Sequence, residues 1–403
     1  MTTDSDHEVT RTEQLSKDLV AGLRAMDAIR TDAVAAAFRA VPRHLFAPEV
    51  PPETAYTNQP IVTKRDERGI AISTVSAPRI QAFMLEQADL RSGMRVLEIG
   101  SGGVNAAYIA EMVGDTGQVT TIDIDRDVTE RATRLLEATG YDRVHVVLAD
   151  GEFGVPEHAP YDRIIVTVGA WDIPPAWTDQ LTENGRIVVP IRTRGLGRSV
   201  AFQREGERLV STSIERSGFV AMQGAGAFGE ELVYLHDDTV ALRVDDGQKA
   251  DSKLLAQALQ QPREEVWTGV SVGDQEPFDD LDLYLATTLP GFCLLMAHES
   301  AVEAGIVQAR PLGSSAVFSG GAFAYVVLRQ LDSDSYEFGV FGHGPGAGLL
   351  VRQVADQVAA WDSKHRGGPG PVITAYPAAT PDDQLPGALV IDKKHRRITV
   401  SWP

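Results

Sequence analysis

Residues 95–110 read RVLEIGSGGVNAAYIA. A short β-rich apolar run meets a glycine turn, and the turn opens into a small-residue helical segment. Gly100 and Gly102 keep the turn open to a ligand's backbone, and the helix beyond offers unpaired N–H groups and a positive dipole end. The unit is therefore expected to hold a nucleotide. Downstream, QVTTIDI, RVHVVLAD, DRIIVTV and GRIVVPI alternate with amphipathic segments, which predicts an α/β fold with a parallel sheet wrapped by helices. SVAFQRE and LVSTSIERSGFV then predict an antiparallel pair added to that sheet.

Upstream, residues 12–48 read as a helical prelude. Leu15, Leu19, Leu23, Met26, Ile29, Val34, Phe38 and Val41 recur at helical steps until PRHLFAP stops the pattern. The small, flexible run GAGAFGEE (224–231) marks a boundary, giving one unit over 1–225 and a smaller α+β unit over 226–403. In the second unit we expect a helix in DDLDLYLATTL, a hairpin of AFAYVVLRQ and YEFGVFG, and an amphipathic helix carrying Leu350, Val351, Val354, Val358 and Trp361. Strands VITAY, ALVID and RITVSW follow.

The 403 residues carry Lys+Arg 37 against Asp+Glu 56, a net charge of -19. A phosphate backbone would be repelled, so nucleic acid is not an expected partner. Cys293 is the only cysteine and excludes an intramolecular disulfide; its neighbours in GFCLLMA mark it as a small buried residue. The N-terminal MTTDSDHEVTRTEQ lacks a basic segment followed by an apolar one, and no apolar run approaches the ~18 residues that span a bilayer. A cytoplasmic protein with no membrane partner is expected. The nine scattered histidines and single cysteine suggest no metal site.

Asp123 ends the strand after the glycine turn, at the distance, about 20 residues, where an acid accepts hydrogen bonds from ribose hydroxyls. Asp150 and Gly151 end the third strand at the same sheet edge. NAD and S-adenosylmethionine both fit this pattern. The third glycine of GxGxxG falls on Asn105, which weakens the dinucleotide reading. The long prelude and the terminal antiparallel pair favour S-adenosylmethionine.

The chain resembles the protein-L-isoaspartate O-methyltransferase family over roughly residues 12–223, through AFRAVPRHLFAPE (37–49), Ala55-Tyr56, Pro60, STVSAP (73–78), VLEIGSG, ADG (149–151) and APYDRIIVT (159–167). The resemblance implies a Rossmann-like sheet and S-adenosylmethionine as cofactor. Thr74, Val75 and Ser76 would lie between cofactor and substrate carboxylate, with Ser76 and Thr74 as the catalytic hydroxyls. Gly100, Ser101 and Gly102 would pass under the methionine moiety, Asp123 would hold the ribose, and Asp150 with Gly151 would meet the adenine. Glu98 and Ile124 complete the implied cofactor set.

The chain departs from the family with a glycine loop one residue shorter, Asn58 where Asp is common, Ser73 in place of Gln or Ala, and its extension to Pro403. Long members with a similar loop occur beside lanthipeptide, lasso-peptide and graspetide enzymes. That resemblance implies methylation of an L-aspartate in a constrained precursor peptide, followed by closure to a succinimide (aspartimide). General repair of isoaspartyl proteins is the alternative; an NAD oxidoreductase and a non-catalytic peptide-binding scaffold are the readings from other classes.

A carboxylate is already ionised at neutral pH and needs positioning rather than a base. Hydroxyls of Ser76 and Thr74 can hold it, so no catalytic His or Lys is expected; His44, in PRHLF, reads as a packed loop residue. Ser76 is also expected to cap a helix with Pro78 in its first turn. KKHRR (393–397) is the densest basic run. It reads as a solvated turn or, more sharply, as a docking patch for an acidic peptide. The edge AFAYVVL is a second candidate peptide contact, by strand addition.

Overall fold

The structure is a computed structural model that describes residues 4–245, 247–387 and 389–403. The prelude comprises α1 (Asp4–Ala25), α2 (Asp32–Ala40) and the one-turn α3 (Pro52–Ala55). It is broken where one helical stretch was expected. Asp27 takes a left-handed φ of 55°, Thr31 accepts the Val34 N–H as N-cap of α2, and Met26 is left 47% exposed at the break. A hairpin of β1 (Ile61–Arg65) and β2 (Ala71–Val75) follows, and then α4 (Pro78–Ala88).

The nucleotide-binding pattern folds as expected: β3 (Arg95–Ile99), α5 (Val104–Val113), β4 (Gln118–Asp123), α6 (Arg126–Ala138), β5 (His145–Leu148), β6 (Tyr161–Val166), α7 (Pro175–Asp179) and β7 (Leu181–Thr193). Strands β5, β4, β3, β6 and β7 lie parallel in that spatial order. The antiparallel pair β8 (Leu196–Glu205) and β9 (Arg208–Arg216) continues the sheet. Successive residues alternate between two cores, as strands buried on both faces require. Val96, Ile165, Val188 and Ala201 pack with the prelude, α4 and α5. Leu97, Ile99, Ile164, Val166, Ile187, Val189, Val200 and Phe202 face the other way.

After residue 226 come β10 (Glu231–His236), β11 (Val240–Val244), α8 (Ser252–Leu259), β12 (Glu264–Gly273), α9 (Asp279–Thr288), β13 (Phe292–Ala297), α10 (Glu299–Glu303), β14 (Ser314–Ser319), β15 (Ala322–Gln330), β16 (Ser335–His343) and α11 (Ala347–Lys364). Their strands form a seven-stranded antiparallel sheet in the order β10-β11-β13-β14-β15-β16-β12. The segment AFAYVVL lies in β15, hydrogen-bonded to β14 and β16 on its two sides, so it is an interior strand and not the free edge that strand addition needs. Helix α11 buries Val351, Val354, Val358 and Trp361. These join Ile187, Val200 and Phe202 in one core, so the two units share apolar contact instead of meeting only through a linker.

The last three strands, β17 (Val372–Pro377), β18 (Val390–Asp392) and β19 (Arg396–Ser401), lie beyond residue 226 in the chain but pair with the near side of it. β17 hydrogen-bonds to β9 and to β19, and β19 to β18, which extends the first sheet to ten strands. KKHRR is accordingly a clamp and not a patch. Lys393 donates to the carbonyls of Trp171 and Arg192, and Arg396 to Thr178 Oγ1 (2.8 Å). The His395 N–H donates to Asp172, and Arg397 pairs with Asp382 and Asp392. Of the five, only Lys394 projects well into solvent.

No helix of the described residues is long and apolar enough to cross a membrane.

Candidate functional site

The glycine turn places one crevice at the carboxyl edge of the sheet, where ligands of open α/β sheets bind. It brings together Thr74, Val75, Ser76, Glu98, Gly100, Ser101, Gly102 and Asp123. Gly100 has φ +103, and a Cβ there would lie 2.6 Å from Thr167 Oγ1. The second left-handed position is Gly103 (φ +85), beside the Phe46 ring. Gly102, expected to be the second obligatory glycine, has ordinary backbone, and its Cβ would meet only the Thr74 carbonyl at 3.7 Å.

Two carboxylates face the crevice. Glu98 is fully buried, accepts from Asn105 Nδ2 (2.8 Å) and Thr121 Oγ1 (2.6 Å), and burial pushes it up to about 7. Burial also raises Asp123, whose oxygens accept from the backbone N–H of Ser101 (3.1 Å) and Asp125 (2.9 Å). Ser101 Oγ is buried at the turn with no partner among the described residues. Two acceptors, an orphaned hydroxyl and the free N-terminal amides of α5 make a donor and acceptor set that fits an amino acid joined to a ribose.

The opposite wall is the hairpin end. Ser76 was expected to cap α4, but the N-cap is Ala77, and the Arg79 N–H instead takes Asn58 Oδ1 (3.0 Å). Ser76 Oγ is thereby left with no hydrogen-bond partner among the described residues, in the wall of the crevice. The loop is held from behind by Arg43, fully buried, which donates to Ser76 O (2.7 Å), Ala55 O (2.7 Å) and Gln81 Oε1. Lys64 of β1 reaches across to Asp125 (2.6 Å) and Asp127 (2.7 Å), tying the hairpin to the start of α6. Among the described residues, the lining contains no histidine or lysine. His44 lies outside it, with Nδ1 3.1 Å from the Tyr56 hydroxyl.

Ile124, Asp150 and Gly151 stand at the same sheet end but outside this lining. Asp150 accepts from the N–H groups of Glu152 (3.0 Å) and Ala225 (2.8 Å), and Gly224 packs against Asp150 and Ile124 so closely that a Cβ would overlap both. Gly151 packs on Ile99, and its carbonyl accepts from Trp177 Nε1.

A family model described as protein-L-isoaspartate(D-aspartate) O-methyltransferase matches residues 13–226. The chain belongs to this family. Its members are S-adenosylmethionine-dependent O-methyltransferases. Similar relatives include the protein-L-isoaspartate O-methyltransferase of Methanococcoides burtonii, 43% identical over 43% of this chain and 83% of the relative. Protein-L-isoaspartate O-methyltransferase 2 of Archaeoglobus fulgidus is 44% identical over 38% of this chain and 68% of the relative. A solved structure titled protein-L-isoaspartate O-methyltransferase shares the fold over 96% of this chain and 99% of its own, with a TM-score of 0.51 and 23% identity.

Within the family region, sequence reasoning missed Arg43, Asn58 and Lys64 as supports of the site. Each acts through a contact 21 or more residues away in the chain. The one available signal was a basic residue inside the apolar prelude, AVPRHLF.

Proposed function

We propose that this protein transfers a methyl group from S-adenosylmethionine to a carboxylate oxygen of an isoaspartyl or aspartyl residue in a polypeptide. The observation that carries the reading is Ser76 Oγ, free of structural duty, in the same crevice as Glu98 and Asp123. Glu98 accepts from the amino group of the methionine moiety, Asp123 from the ribose hydroxyls, and Asp150 with Ile124 and Gly151 borders the adenine. When bound, the cofactor supplies a methyl on a sulfonium, which leaves as a neutral thioether. Ser76 Oγ and Thr74 Oγ1 orient the substrate carboxylate for in-line attack. That carboxylate is ionised at neutral pH, so no base is needed and positioning is the contribution.

Repair-type methylation of isoaspartyl residues is the reading that the family supports most directly. The second unit does not by itself argue against it, since its fold is shared with a structure titled as a member of the same family. The finer expectation, an L-aspartate of a ring-constrained precursor peptide closing to a succinimide, is separated by one assay. Purified protein is given S-adenosylmethionine with a linear isoaspartyl peptide, its aspartyl counterpart and a ring-constrained aspartyl peptide. Methyl ester on the isoaspartyl peptide alone supports repair, ester or succinimide on the ring alone supports biosynthesis, and neither product with any peptide removes the proposed activity.

A further inference from the structure

A second concavity, a cleft of about 640 Å³, adjoins the crevice and lies between the two sheets. The crevice wall ends at Val168 and Val220; the cleft begins at Gly169, Phe219 and Ala221. In a chain of net charge -19, five arginines line it: Arg79, Arg192, Arg198, Arg216 and Arg243. Among the described residues, Glu230, Asp279 and Asp282 are the acids in this lining.

Most of this charge is already spoken for. Arg192 and Arg243 share Glu230, Arg216 pairs with Asp279 (2.9 Å), and Arg198, 5% exposed, donates to the Asp279 carbonyl (2.7 Å). Asp282 is paired with Arg310. Arg79 differs. It sits one helical turn past Ser76, its side chain is exposed, and its guanidinium has no ion-pair or hydrogen-bond partner among the described residues. Across the cleft stand Leu294 and Met296 of β13 and Leu312 of the turn that leads into β14. Leu312 is 79% exposed and held at φ +66, a conformation that side chains with a Cβ avoid.

We propose that the interdomain cleft is the groove for the polypeptide that carries the methyl acceptor, and that Arg79 receives a carboxylate side chain flanking that acceptor. The inference rests on the proposed methyl transfer for the identity of the acceptor, but the groove is a binding site in its own right. The local excess of positive charge opposes the repulsion that an acidic segment meets elsewhere on this surface. An extended chain leaving the crevice advances ~3.3 Å per residue, so a residue within a few positions of the acceptor passes Arg79. Apolar neighbours on its other face meet Leu312.

The test uses the full chain with S-adenosylhomocysteine present and two fluorescein-labelled isoaspartyl peptides, identical except for glutamate or glutamine beside the acceptor. Anisotropy at low salt is expected to show the glutamate peptide binding about fivefold tighter, the scale of one exposed ion pair, with the preference shrinking at 0.5 M salt. Arg79→Ala brings the ratio to about one, Arg79→Glu inverts it, and Arg79→Lys retains part of it. A wild-type ratio of one, a ratio that survives Arg79→Ala, or no binding of either peptide overturns the groove. Methyl transfer is followed in parallel: binding with the expected ratio but no ester sinks the proposed reaction alone, whereas ester on both peptides with no ratio sinks the groove alone.

Discussion

Asn105 donates a hydrogen bond of 2.8 Å to Glu98, from the position where a dinucleotide fingerprint carries its third glycine. The departure from GxGxxG thus has a structural use. A side-chain amide on the first turn of α5 satisfies one oxygen of a carboxylate that has no access to water, and Thr121 satisfies the other.

The Glu98 pair makes stability depend on pH. The folded value near 7 lies above the unfolded one of 4.5, so the native state holds a proton that the unfolded chain has lost between them. The stability this contributes is complete below pH 4.5 and is lost as pH rises through 7, a difference of ~3 kcal/mol. Glu98→Gln removes that dependence. Urea unfolding at pH 5 and pH 8 checks it, and equal slopes with pH in both proteins would contradict the assignment.

Cofactor affinity follows the same group. A cation beside Glu98 favours its ionised form, so affinity is expected to rise with pH up to about 7, by as much as tenfold per unit, and to level above it. Calorimetry of S-adenosylmethionine against wild type and Glu98→Gln reads this directly, and a variant that keeps the wild-type pH profile removes Glu98 from the cofactor site.

Ser76→Ala deletes a hydroxyl that supports nothing in the fold. The expected result is a fall in kcat of about tenfold, the scale of one orienting hydrogen bond, with a melting temperature within a degree of wild type. A stability loss without a rate loss would return Ser76 to a structural role.

Arg43→Met tests the positioning of that hydroxyl from behind. It leaves the carbonyls of Ser76 and Ala55 and the Gln81 amide oxygen unpaired in a buried site, for a loss of ~3 kcal/mol. Denaturant midpoints give the stability. In the folded fraction kcat is expected to fall more than KM rises, since the loop carrying Ser76 loses its support.

Lys64→Ala unlatches the hairpin from Asp125 and Asp127. The pair is partly exposed, so the stability change stays under ~1 kcal/mol. Hydrogen exchange over 61–75 is expected to accelerate and the KM for cofactor to rise several-fold. Unchanged exchange there would mean that the hairpin is held by its apolar face alone.

Much of this architecture was legible because it is written at short range. Short β-rich apolar runs set between amphipathic segments located every strand from β3 to β9, and the turn at 100–103 named its own crevice. What escaped is long-range. The order of β17, β18 and β19 in the first sheet depends on β9 presenting a free edge, which VITAY cannot announce. Charge was read as solvated because KKHRR is basic, whereas Lys393 and Arg396 are buried against carbonyls and a hydroxyl more than 200 residues away. Ser76 looked like a helix cap because serine before proline usually is one; Asn58, 21 residues upstream, does that work.

The ten-stranded sheet has a temporal consequence. Ile373 N–H finds Ser211 Oγ 162 residues earlier in the chain, with the whole seven-stranded sheet emerging from the ribosome between them. During synthesis the nascent catalytic half waits with β9 uncapped, a sticky template for any passing strand. That edge is covered only when β17 arrives, so a chain cut between residues 231 and 371 would keep it bare and be prone to coaggregate.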